Sequence, residues 1–156
     1  MFDTMIIGQI TLDHNIDFDG REEYINGGAV TFSGYAAAAI GYSVAVVPKG
    51  DVRVIDPYRV FADSRVEKIF AVDCDTYTEM QNTYFTADRE RRRGINTKGI
   101  EPYRPSDLPD AGAKIYHLGG LVAGDFPGEF VEACAARGSV GLDVQGMMRF
   151  RNEDGT

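Results

Sequence analysis

At 156 residues the chain is long enough for one well-buried domain and short for two. Hydrophobic residues make up 44% and charged residues 26%, and no run reaches the roughly 18 apolar residues of a membrane span, which excludes a disordered chain and a membrane helix. The net charge of −8, from 24 acidic against 16 basic residues, argues against a nucleic-acid coat, whose basic patches must neutralise phosphates, and favours a soluble enzyme or binding domain.

No basic stretch followed by an apolar one precedes the first expected strand, so no signal peptide is read and the cytoplasm is the default. Cys74 and Cys134 stand far apart, outside any CxxC or Cys/His cluster. Metal binding and a disulfide framework are therefore not expected.

In chain order, Thr4 to Gly8 is a short apolar run that ends in glycine, as a buried parallel strand does. Ile10 to Phe18 alternates instead, which predicts a half-exposed strand with Leu12, His14 and Ile16 on one side and Asp13, Asn15 and Asp17 on the other. Asp19-Gly20 signals a hairpin whose second strand, Arg21 to Ile25, delivers the chain to Gly27-Gly28. These two glycines open an Ala-rich helix that Gly41 closes. Either they form a turn that lays the helix flat on a sheet, or they let a ligand approach the backbone and the helix N–H groups closely. Asp13 would lie beside them. A carboxylate there can accept hydrogen bonds from two hydroxyls of a polyol; otherwise it is a solvated charge on a strand face. His14 reads as packing or surface.

Tyr42 to Val47 is a second buried-type strand, and Pro48 to Asp51 reads as a turn. Asp56 and Pro57 make an N-cap and first helical position for a short helix. Val66 to Val72 and Thr76 to Thr86 read as strands. Arg91-Arg92-Arg93 either meets a phosphate or, as an acidic chain with one short basic run more commonly has it, marks a solvated edge strand. A proline-rich connector, Glu101 to Pro109, leads to a strand at Lys114 to Leu118. Asp125, Pro127 and Glu129 give a helix-start signature ahead of Phe130 to Arg137. Ser139 to Val144 is a further strand, with Asp143, Gln145 and Arg149 at its carboxyl end, where ligands bind in open α/β sheets.

Strands and helices alternating with glycines at the junctions predict an α/β fold with a mostly parallel core sheet flanked by helices. The alternating segments near residues 10–25 and 76–97 fit a separate small β-sheet, a lid over the ligand edge.

The order of "LD" on a lid strand, GG with an Ala-rich helix ending in IG, a lid strand near RRR, KIYHLGGL and then GLDVQGMMR resembles the amino-terminal half of the PfkB carbohydrate kinase family, the ribokinase-like fold. The resemblance covers essentially the whole chain. It implies transfer of a phosphoryl group from ATP, with Mg2+, to a hydroxyl of a sugar or nucleoside. By the same resemblance Asp13 falls at the substrate-hydroxyl aspartate and Gly27 and Gly28 at the glycine pair behind the substrate. Phe32 stands where many members carry asparagine, which suits an aromatic wall or a divergent subfamily. Gln145 and Arg149 are expected to reach the substrate or phosphate region, and a homodimer through the lid sheet is a further expectation.

Nothing in the chain matches the family's GAGD-type segment, which supplies the anion hole and the catalytic base, and no GxxxxGK[ST] replaces it. No catalytic residue is therefore expected in this chain, which should be inactive alone. It reads as the substrate-binding half of a small-molecule kinase or, alternatively, as a truncated non-catalytic binding or assembly module of the same fold.

Overall fold

The computed structural model describes residues 1–154; Gly155 and Thr156, the last residues of the expected chain end, lie outside the described residues. In chain order the strands are β1 (Phe2–Gln9), β2 (Thr11–Ile16), β3 (Glu22–Gly27), β4 (Val44–Gly50), β5 (Lys68–Ile69), β6 (Val72–Asp73), β7 (Thr78–Tyr84), β8 (Arg92–Lys98), β9 (Ala113–Gly119) and β10 (Ser139–Leu142). The helices are α1 (Ala29–Ala39), α2 (Pro57–Val60), α3 (Gly128–Ala135) and α4 (Gln145–Met148).

β1 and β4 are apolar at nearly every position because both faces of their sheet are covered. Met5, Ile7, Ala45 and Val47 point into a core with Tyr103, Tyr116, Leu118, Phe130 and Cys134, on the side of α3. Their neighbours Ile6, Val44 and Val46 point the other way, to Val30 and Ala38 of α1 and to Phe61. The strand order is β10-β9-β1-β4-β5, with β6 beside β4, and every pairing is parallel. Helices of eight to eleven residues supply the crossovers that parallel strands require.

A second sheet has the order β3-β2-β7-β8. The hairpin β2–β3 and the pair β7–β8 are antiparallel, and β2 joins β7 in parallel register, Asp13 opposite Met80 and Asn15 opposite Asn82. The architecture is thus the mixed α/β fold expected, a parallel sheet flanked by helices with a small second sheet.

Four local readings are corrected. Pro48 to Gly50 continue β4 instead of turning, because Gly8 and Gln9 of β1 extend the ladder to Pro48 and Lys49. Lys49 made that stretch look like a surface turn, yet it is buried: its Nζ donates to Asp107 Oδ2 at 2.8 Å and to Pro102 O at 2.9 Å. The apolar run 66–72 yields only the two-residue strands β5 and β6. Asp125 does not cap α3, which starts from Pro127; it is buried, accepting the N–H groups of Leu121 at 2.7 Å and Val122 at 3.1 Å. β10 stops at Leu142, and the single turn α4 follows. The capping of α2 is as read, with Asp56 accepting from the Tyr58 and Arg59 amides.

Candidate functional site

Beyond the carboxyl ends of the core strands and under the second sheet lies a hollow of about 380 Å3. β2 contributes Thr11 and Asp13, α1 contributes Phe32, and the segment after β10 contributes Asp143, Gln145 and Arg149. Strand alternation explains the side formed by the second sheet: Thr11 and Asp13 share one face of β2, and on β7 Met80, opposite Asp13, and Asn82, one alternation further and opposite Asn15, line the same hollow. His14 faces away, stacked on Tyr24 with ring centroids 4.3 Å apart and bonded to Glu22 at 2.8 Å.

Gly27 and Gly28 bring β2 and α1 together. Gly28 has φ +95°, and a Cβ there would run into the Gln9 carbonyl and lie 3.2 Å from Thr11 N. Only glycine fits that close approach in the left-handed region. A Cβ on Gly27 would collide with the Asp13 carboxylate and stand 2.8 Å from Thr11 Oγ1. The pair is therefore a junction that presses backbone against backbone, and it also sets Asp13 against the first turn of α1. No side chain caps that turn; Thr31 Oγ1 instead donates back to Gly27 O at 2.8 Å.

Asp13 Oδ1 and Thr11 Oγ1 are buried and lack hydrogen-bond partners among the described residues. Such orphans cost about 1–3 kcal/mol each, and native proteins keep them where a ligand completes the bonding. Burial raises the Asp13 carboxyl above the ordinary aspartate range, with the nearby Thr11 hydroxyl and the Arg92 charge offsetting part of the rise.

On the opposite wall Asp143 Oδ1 accepts the Gln145 amide N–H at 3.0 Å and its Oδ2 accepts from Gln145 Nε2 at 2.9 Å. This Asx turn starts α4 and holds the Gln145 side chain at the wall of the hollow. Phe32 is 65% exposed and lines the hollow with its ring.

Of the residues singled out from the sequence, the structure brings Asp13, Gly28, Phe32, Gln145 and Arg149 to this hollow, with Gly27 directly behind Asp13. Sequence reasoning missed Thr11, Asn82 and Val122, and it named Arg92 only within the run Arg91 to Arg93, as a phosphate contact or a solvated edge. Thr11 was detectable as the residue one alternation before Asp13. Val122 carried no signal, because the loop that holds it is shaped by Asp125 from inside.

A larger hollow, about 620 Å3, lies beside Asn26, Tyr35, Arg53 and Arg59. There Arg53 is already held by Asp51 at 2.8 Å and the Tyr35 hydroxyl by Val60 O at 2.7 Å. Among the described residues no group of three or more His, Cys, Asp or Glu converges as a metal site would, and no helix is long and apolar enough to cross a membrane.

Comparison with solved structures places this geometry. A pyrophosphate-dependent kinase in the ribokinase family, complexed with a pyrophosphate analogue and myo-inositol, superposes with a TM-score of 0.84 at 21% identity over 97% of this chain and 52% of the other. The fold is ribokinase-like. The nucleoside kinase of Methanocaldococcus jannaschii, a ribokinase-family member, gives a TM-score of 0.64 at 14% identity over 91% of this chain and 52% of its own. A fructokinase from Xylella fastidiosa with bound ATP gives 0.63 at 16% identity over 92% and 52%. The chain thus spans about half the length of the ribokinase-like structures it matches. No protein-family model and no curated protein matches it.

Proposed function

We propose that this chain forms the acceptor-binding part of a small-molecule kinase, holding a sugar or related polyol whose hydroxyl receives a phosphoryl group. The observation that carries the reading is Asp13: a carboxylate lining the hollow, against Gly27, with a buried oxygen that has no hydrogen-bond partner among the described residues. Polyol hydroxyls donate to such a carboxylate, and a neutral side chain would accept them less strongly. Thr11 adds a second unpartnered oxygen, and Phe32 offers an apolar ring to the C–H face of a sugar.

These groups bind and orient. Phosphoryl transfer depends chiefly on positioning and on charge stabilisation at the donor, and this chain's own part is to hold the acceptor hydroxyl and screen it from water beneath the second sheet. A donor such as ATP, with Mg2+, would supply the phosphoryl group and the cation that neutralises its charge. The described residues include no carboxylate cluster fitted to that cation, so its site is not assigned to this chain. A second copy meeting the outer face of the lid sheet, where Tyr24 is exposed, belongs to the same reading, as does a cytoplasmic location.

Titration calorimetry of the chain against myo-inositol, fructose, ribose and inosine tests the proposal. At least one should bind, and Asp13→Ala should weaken it by about tenfold to a hundredfold, as expected for hydrogen bonds to a charged group. Failure of every compound to bind the folded chain would remove the reading. In a whole enzyme Asp13→Ala should weaken acceptor more than donor binding; equal loss of both would indicate a folding defect instead.

A further inference from the structure

The sequence leaves the consecutive arginines Arg91 to Arg93 as either a phosphate contact or a solvated edge, and the structure divides them. β8 begins at Arg92, and alternation sends Arg92, Gly94 and Asn96 to the face shared with Met80 and Asn82 of β7. Arg93, on the other face, pairs with Asp154 at 3.4 Å. Arg92 thereby lines the acceptor hollow and also a second hollow of about 430 Å3 that shares its wall. Arg149 is common to both, and Arg151 lines the second alone.

The two hollows differ in charge. Asp13 and Asp143 line the first, whereas no carboxylate lines the second. Among the described residues Arg92, Arg149 and Arg151 make no ion pair. Three guanidinium groups around one concave surface repel one another, and they do so on a chain whose net charge is −8 and which has carboxylates in excess to neutralise them. Arginines that lie outside any ion pair and converge on a hollow match the fork geometry that carboxylates and phosphates take up, with Asp13 a partial counter-charge to Arg92 from the neighbouring hollow.

We propose that the second hollow is an anion subsite, and that the acceptor held at Asp13 carries an oxyanion at its other end: a sugar acid, or a sugar or polyol phosphate. The inference rests on the acceptor reading above. It separates the two ends of the ligand, with hydroxyls toward Asp13 and Thr11 and the anion toward Arg92, Arg149 and Arg151. The shared wall makes the donor a less suitable occupant, because a phosphoryl donor must approach the reacting hydroxyl and not the remote end of the acceptor.

The test compares matched probes on the intact chain by calorimetry: glucitol as the neutral polyol, gluconate as the carboxylate and glucitol 6-phosphate as the phosphate. Gluconate or glucitol 6-phosphate should bind at least about tenfold more tightly than glucitol, as charge-assisted hydrogen bonds imply. The preference should shrink in 0.5 M salt, where screening is strong, and should fall toward unity in Arg151→Met and Arg92→Met. Both substitutions lie on exposed segments, and circular dichroism checks that each variant is folded. Whichever anion shows the larger preference identifies the group. If glucitol binds as well as its anions and Asp13→Asn weakens all three, the acceptor reading stands and the anion subsite falls. If none of the three binds, both fall. If pyrophosphate binds without competing with gluconate and loses affinity in Arg151→Met, the arginines serve the donor and the proposal is overturned.

Discussion

On the proposed acceptor reading, Asp13 sets stability against binding within one side chain. Burial lifts its carboxyl above the 3.8 of an unperturbed aspartate, so the folded protein holds the proton more tightly than the unfolded chain. The associated stability is fully present below about pH 3.8 and is lost as the pH rises through the folded value. At neutral pH the ionised Asp13 is a liability to the fold, as functional groups commonly are. Asp13→Asn should therefore raise Tm at pH 7 while weakening acceptor binding, and the gain in Tm should fade below pH 3.8; thermal melts at both pH values check it. Gly27→Ala should act differently. It keeps a permitted backbone but pushes the Asp13 carboxylate aside, so the folded variant should lose at least about tenfold in acceptor affinity, roughly 1.4 kcal/mol. Gly28→Ala, with φ +95° and backbone in the way, should lose the fold itself, by about 3 kcal/mol or more.

Among the elements, the connector between β8 and β9 is held by charge. Lys49 is a buried cation on a central strand of the core sheet, and its ammonium group is 2.8 Å from Asp107 and 5.2 Å from the Tyr103 ring centroid. Tyr103 donates in turn to Val47 O at 3.1 Å. Asp107→Ala should cost about 3–5 kcal/mol, because it strands a buried ammonium, whereas Lys49→Met with Asp107→Leu should cost much less; urea unfolding of the two variants compares them. Asp125→Ala should free the Leu121 and Val122 amides, lower stability by about 2–3 kcal/mol and speed proteolysis of the 120–125 loop. These elements also mark what was legible beforehand. β1, β4, β9 and α1 were readable because burial on both faces, or an Ala-rich run between glycines, leaves an unambiguous pattern. Lys49 and Asp125 were misread because their partners lie far away in sequence or in backbone amides that composition does not display. Of the site, Asp13 and the glycine pair were legible from local spacing. Asn82 was not, because which face of β7 points inward depends on its pairing with β2 and β8; Thr11 was passed over although it lies one alternation before Asp13, and Arg92 was weighed only within its run of three arginines.

At the scale of the whole molecule, the ribokinase-like comparison and the two-sheet architecture describe the same fold, and the candidate hollow lies at the seam between the sheets. The second sheet is not a single hairpin laid over the first. Its central strands β2 and β7 are reached by separate routes along the chain, β2 from the end of β1 and β7 from the end of β6, and they run side by side in parallel. Where these routes converge, the Thr78 hydroxyl donates to the Gln9 side chain, and the Gln9 amide in turn neighbours Asp125. The sheet is tied to the core at four chain crossings, after β1, before α1, before β7 and after β8, so it moves as one plate. Any displacement must bend all four crossings together, and a change confined to one of them is felt across the whole sheet. Amide exchange along β2 and β7 should therefore quicken in step when Thr78→Val cuts the link at Gln9, and a ligand gripping one strand would slow both.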